Sequence, residues 1–143
     1  MGILSLASSA SAWYGYEYFM GKKVVSCNRI NEEEYEGDVK GSSKEPYRVL
    51  INTIHPRKSR CNCPHAEGKR IICKHMVAML FTAFPKEADL YMAAVDEYER
   101  EEYQREKEHN KEILKYVFSL SKAELRSALF NALLEAEERK RYY

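Results

Sequence analysis

No apolar run in this 143-residue chain approaches the roughly 18 residues that cross a bilayer, so no membrane contact is expected. The start, Met1-Gly-Ile-Leu-Ser-Leu-Ala-Ser-Ser-Ala, has the small and apolar residues of a signal peptide but no basic segment before them. Its apolar stretch is also short, which argues against secretion. Gly2 lacks the Ser or Thr that a myristoylation motif wants where this chain has Leu6. The expected compartment is therefore cytoplasmic and reducing, where cysteines serve as metal ligands or free thiols more often than as disulfides. No internal repeat, low-complexity linker, phosphate loop, nucleophile elbow or paired carboxylates can be read. The chain is accordingly expected to be neither an enzyme nor a binder of a small-molecule substrate.

With 45% apolar and 31% charged residues, the composition is that of a globular chain. The formal charge of +1 hides an asymmetry. Residues 1–85 carry 12 Lys+Arg against 8 Asp+Glu, and residues 86–143 carry 11 against 14, so the halves stand at +4 and −3.

Periodicity divides the chain at the same place. Ala12–Met20 is aromatic and reads as a short helix or an irregular anchor ended by Gly21. Val24–Asn28, Tyr35–Val39 and Tyr47–Asn52 read as three strands of an antiparallel meander, separated by turn-forming residues. A helix over 74–84 places Val77, Leu80, Phe81 and Phe84 on one stripe, and Pro85 breaks it. The remainder reads as helical. Tyr91, Ala94, Val95 and Tyr98 form a stripe, Glu99–Lys111 is a solvated stretch, and Ile113, Leu114, Val117 and Phe118 return to a core. Ser121-Lys-Ala-Glu124 fits a capping box opening a last helix, with Leu125, Ala128, Leu129, Ala132 and Leu133 on one face. The expectation is an α+β fold with a small sheet and helix over 1–85, and a helical extension over 86–143 packed beside it.

The chemistry concentrates in Cys61-Asn-Cys63, nine intervening residues, and Cys73-Lys-His75. Zinc prefers thiolate and imidazole in a tetrahedron, and four protein ligands close a structural site. Residues two apart on an extended segment face the same side, so Cys61 and Cys63 can address one ion. Residues two apart on a helix point to nearly opposite sides. Cys73 must then sit just before the helix and His75 in its first turn. The alternatives fare worse. A disulfide needs an oxidising compartment, catalytic zinc keeps an open position, and a Cys–His nucleophile finds no orienting third group. Cys27 reads as a buried small hydrophobe, His65 as a weaker competing ligand, and His55 and His109 as surface residues.

At these residues the chain resembles the SWIM-type zinc finger family, whose pattern is C-x-C, a variable loop, then C-x-H. Val39-Lys-Gly41-Ser42, Tyr47-Arg-Val49-Leu-Ile51 and Cys73-Lys-His75-Met-Val-Ala78-Met-Leu80 carry the likeness over about residues 12–84. It implies a small sheet followed by a helix, pinned by one structural zinc ion. SWIM domains occur in chromatin-remodelling ATPases, transposases and recombination accessory factors, which implies non-catalytic binding of DNA or protein. The chain is also similar to short bacterial members with a helical tail.

Around the ligands, Arg57, Lys58, Arg60, Lys69, Arg70 and Lys74 face a single acid, Glu67. Such clustering suits phosphate contacts, and nucleic acid, DNA before RNA, is the first expected partner. Cations also offset the net negative charge of a three-thiolate zinc site. The second expectation is therefore an adaptor that engages a protein through residues 86–143.

Overall fold

The computed structural model describes residues 2–143. Its helices are α1 (Ile3–Leu6), α2 (Ser9–Met20), α3 (Lys74–Ala83), α4 (Pro85–Ser119) and α5 (Lys122–Arg141). Its strands are β1 (Asn28–Arg29), β2 (Glu34–Val39), β3 (Tyr47–Asn52) and β4 (Arg60–Cys61), in the antiparallel order β1-β2-β3-β4. The α+β meander expected from the sequence is present. Two compact units divide between Ala94 and Val95.

In the first unit, strand alternation decides which side chains become core. Val39, Val49 and Ile51 are fully buried on the inner sheet face. The outer face carries Glu34, Glu36 and Asp38 on β2, and Arg48 on β3 bridges Glu36 at 2.9 Å and Asp38 at 3.3 Å. The inner face packs on α3, whose other side meets α2. That sandwich explains a departure from the expected stripe. Val77, Leu80 and Phe81 are buried, but so are Met76, Ala78 and Met79, because a helix covered on both sides is apolar around most of its circumference. The α2–α3 crossing is close: a Cβ on Gly15 would run into the Val77 side chain.

The expected strand over Val24–Asn28 is largely absent as a ladder. Val24 makes one bridge to Val39, and the amides of Val25 and Ser26 both donate to the Asp38 carbonyl, at 2.8 and 3.3 Å. Two residues opposing one bulges the chain, and regular pairing resumes only at Asn28 and Arg29. The first turns of α4 pack with the sheet unit: Ala88 is buried, and Tyr91 lies 5.6 Å from Phe81 and 5.9 Å from Tyr16 between ring centres.

The second unit, Val95–Tyr143, is helical as expected, and Ser121 and Glu124 form the capping box. The expected core is not there. No residue of 95–143 is buried, and Ile113, Leu114, Val117, Phe118, Leu125, Leu129 and Leu133 are all exposed. Their periodicity marks an apolar face, but a face becomes core only where a second element covers it.

Candidate metal centre

Each of the four expected ligands is held by a different local device. Cys61 ends β4, in register with Val49, so its side chain turns to the inner sheet face. Asn62 then locks the strand end: its side-chain oxygen accepts from the Arg48 amide at 2.9 Å, and its own amide donates to the Arg48 carbonyl at 3.3 Å. The Cys63 carbonyl accepts from the amides of Ala66 and Glu67, starting the turn that leads away. Gly68, with φ of +71°, carries the loop through a left-handed residue, and buried Ala66 and Ile72 anchor its two sides. Cys73 is the N-cap of α3 with extended backbone, and His75 lies in the first turn, as the two-residue spacing requires.

Three thiols and one imidazole converge. One ligand atom from each of Cys61, Cys63, Cys73 and His75 lies within 4.8 Å of all the others, and all four residues are buried. Nδ1 of His75 faces the sulfurs, 3.7 Å from Cys61 Sγ and 3.8 Å from Cys73 Sγ. A tetrahedron built on zinc–sulfur bonds of about 2.3 Å and zinc–nitrogen bonds of about 2.0 Å has edges between roughly 3.5 and 4 Å. The donor set therefore fits zinc, with Nδ1 as the ligating nitrogen and no position left open.

Electrostatics make the same point. Cys73 is lowered to about 4, chiefly because the Cys61 thiol donates to its sulfur, with His75 and the Met76 amide helping against burial. Cys61 is pushed up because its proton is held on the Cys73 sulfur and because it is buried, and burial pushes Cys63 up as well. Without a cation the pocket keeps one thiolate and two thiols. A dication is what makes three thiolates stable together.

The surroundings of His75 were not legible as site residues. Tyr47 and Tyr18 flank the imidazole, with ring centres 4.8 and 5.4 Å away, and Nε2 is buried without a hydrogen-bond partner. Gly41 closes the cage. A Cβ there would collide with the Tyr47 ring and come within 3.2 Å of His75 Nε2. Beyond the strand that opens at Tyr47, Gly41 and Tyr47 entered the sequence reading only as part of the family resemblance.

The remaining candidates separate. His65 is exposed and outside the converging set, beside a cleft of about 220 Å³ bordered by Ser11, Tyr14 and Lys74. Cys27 is half-buried against the core in the irregular segment before β1, and His55 and His109 are exposed. Arg57 and Lys58 stand exposed on a 3-10 turn, Pro56–Lys58, and Lys69 and Arg70 stand exposed in the loop between the ligand pairs. Arg60 alternates with inward Cys61 and so belongs to the outer sheet face with the acids of β2. Lys74 is half-buried, its ammonium 4.7 Å from the Tyr18 ring centre and 5.9 Å from that of Tyr14. Among the described residues, none of these six cations forms an ion pair.

No curated protein and no solved structure matches the chain. Residues 47–84 do match a family model, that of the SWIM zinc finger. This span begins at β3, includes all four ligands and ends just after α3, so residues 12–46, which share the resemblance by sequence, lie outside it. Residues 47–84, from β3 to just past α3, thus match the SWIM zinc finger, and within them Cys61, Cys63, Cys73 and His75 form one structural zinc site.

Proposed function

We propose that the finger is a non-catalytic module, working in the cytoplasm, that binds nucleic acid, DNA in preference to RNA. Arg57, Lys58, Lys69 and Arg70 make the phosphate contacts, with Lys74 and Arg60 at the margins. The observation carrying this reading is that the first four are exposed and unpaired in the two segments that flank the ligands. Unpaired cations held on metal-braced loops lose little side-chain or loop entropy beyond their own on meeting a phosphate. Closed zinc coordination leaves the metal to brace those loops, with no substrate position. The preference for DNA rests on the family resemblance. Little base readout is expected of these four residues, so that affinity comes from the backbone.

Fluorescence anisotropy of labelled single- and double-stranded DNA and RNA with zinc-loaded protein tests this. Four phosphate contacts predict log Kd rising with log salt at a slope of roughly 3 to 4. Replacing Arg57, Lys58, Lys69 and Arg70 by Glu should weaken binding by about the same factor for every sequence. No binding even at low salt would make these cations a counterweight to the zinc thiolates. The second reading, a protein-interaction adaptor acting through residues 86–143, would then lead, favoured by the exposed Ile113, Leu114, Val117 and Phe118.

A further inference from the structure

Residues 95–143 expose more apolar surface than two solvated helices sustain. Phe118 is 81% exposed, Phe130 62% and Leu129 61%, and no side chain in the unit is buried. Isolated helices of this length are marginal in water, and helical stability comes mostly from a packed apolar face. A 49-residue unit is also near the size below which a chain needs help to build a core.

The distribution of apolar residues on α5 says how many neighbours it needs. Leu125, Ala128, Leu129, Ala132 and Leu133 share one face, while Phe130 and Leu134 lie well around the helix from it. Between Leu125 and Leu134 the only charged residue is Arg126. An apolar arc that wide fits a helix with two neighbours, as in a bundle. In the structure α4 and α5 do not pack on one another, so both sides of that arc are open. The turns of α4 bearing Ile113, Leu114, Val117 and Phe118 precede α5 by only Leu120 and Ser121, a connection short enough for the two helices to fold back as an antiparallel hairpin. Such a hairpin would cover one side of α5 and leave the other for a further neighbour.

Charge favours a second copy as that neighbour. Residues 96–108 carry 7 acids against 3 bases, whereas residues 109–126 carry 4 bases against 2 acids, and at the end of α5 Glu135, Glu137 and Glu138 balance Arg139, Lys140 and Arg141. Two such arms laid antiparallel bring the acidic stretch of each to the basic stretch of the other, a self-complementary, two-fold arrangement. We propose that residues 95–143 are a dimerisation arm, in which two copies of the α4–α5 hairpin close into a four-helix bundle.

Sedimentation velocity on the zinc-loaded full chain from 1 to 100 µM provides the test. The expected species has twice the 16.7 kDa chain mass. Helicity at 222 nm should rise with concentration over the same range, because the arm folds as it pairs. Phe118→Glu with Leu129→Glu should raise the dimer dissociation constant at least about 30-fold, the effect of losing a hot spot. Val25→Glu, exposed in the other unit, should leave it unchanged. A monomer at 100 µM would overturn the proposal and assign the face to a protein of other sequence. A dimer unaffected by the double variant would overturn it too, by placing the interface elsewhere.

Discussion

Three sulfurs and one imidazole nitrogen within 4.8 Å of one another set the behaviour of this protein at the scale of single residues. In the metal-free pocket Cys61 and Cys63, both shifted upward, hold their protons, and Cys73, lowered to about 4, does not. Zinc needs all three as thiolates, so loading a folded pocket expels two protons, and loading an unfolded chain with ordinary thiols expels close to three. Zinc affinity therefore rises with pH throughout the range above about 4 in which Cys73 is already ionised while Cys61 and Cys63 still hold their protons, and it falls as pH drops because protons compete with the metal for those two sulfurs. The logarithm of the association constant against pH, measured by competition with a chromophoric chelator, should have a slope of at least two. A slope of one or less would mean that fewer thiols serve as ligands than the geometry brings together. The ligands themselves were legible, because Cys-x-Cys and Cys-x-His each restrict backbone and side-chain direction within a few bonds. The cage around His75 was not, because Tyr18, Gly41 and Tyr47 are brought there by three different parts of the chain.

At the scale of elements, α3 is the pivot. It presents His75 to the metal from its first turn and packs against the sheet on one side and α2 on the other. Gly15 permits that second contact, since a methyl group there meets Val77 and the Lys74 carbonyl. Gly15→Ala exchanges a helix-favouring gain of about 1 kcal/mol for an overpacking cost of about 1–3 kcal/mol. A net loss of up to about 2 kcal/mol in urea unfolding is expected. A variant more stable than the parent would show that the two helices separate at little cost. The regular elements were readable where a pattern runs long enough: β2, β3 and α3 fall within a residue of their expected bounds. Strand β4 has two residues and no pattern of its own, and exists because Val49 and Leu50 pair with it. Helix α1 was not expected from its short apolar sequence, yet Ile3 is buried in the core. In both cases the deciding contact is distant in sequence.

At the scale of the whole molecule, the two halves differ in charge and in how their apolar residues are used. The sheet unit buries an apolar core that includes the zinc ligands, whereas residues 95–143 bury no apolar residue. The apolar periodicity of α4 and α5 was legible, but the identity of the covering surface is a property of assembly, which one chain's pattern does not encode. One zinc ion is expected to organise residues 24–84, because a four-stranded sheet with two two-residue strands gains too little from its own burial to offset its conformational entropy. Zinc titration into metal-free, isotope-labelled full chain, followed by amide correlation spectra, tests it most directly. We predict that dispersed signals from residues 24–84 grow in together and saturate at one equivalent, and that Cys73→Ser abolishes the change. A fully dispersed, native-like spectrum before any zinc is added would contradict the claim and reduce the metal to a passenger in a fold that stands without it.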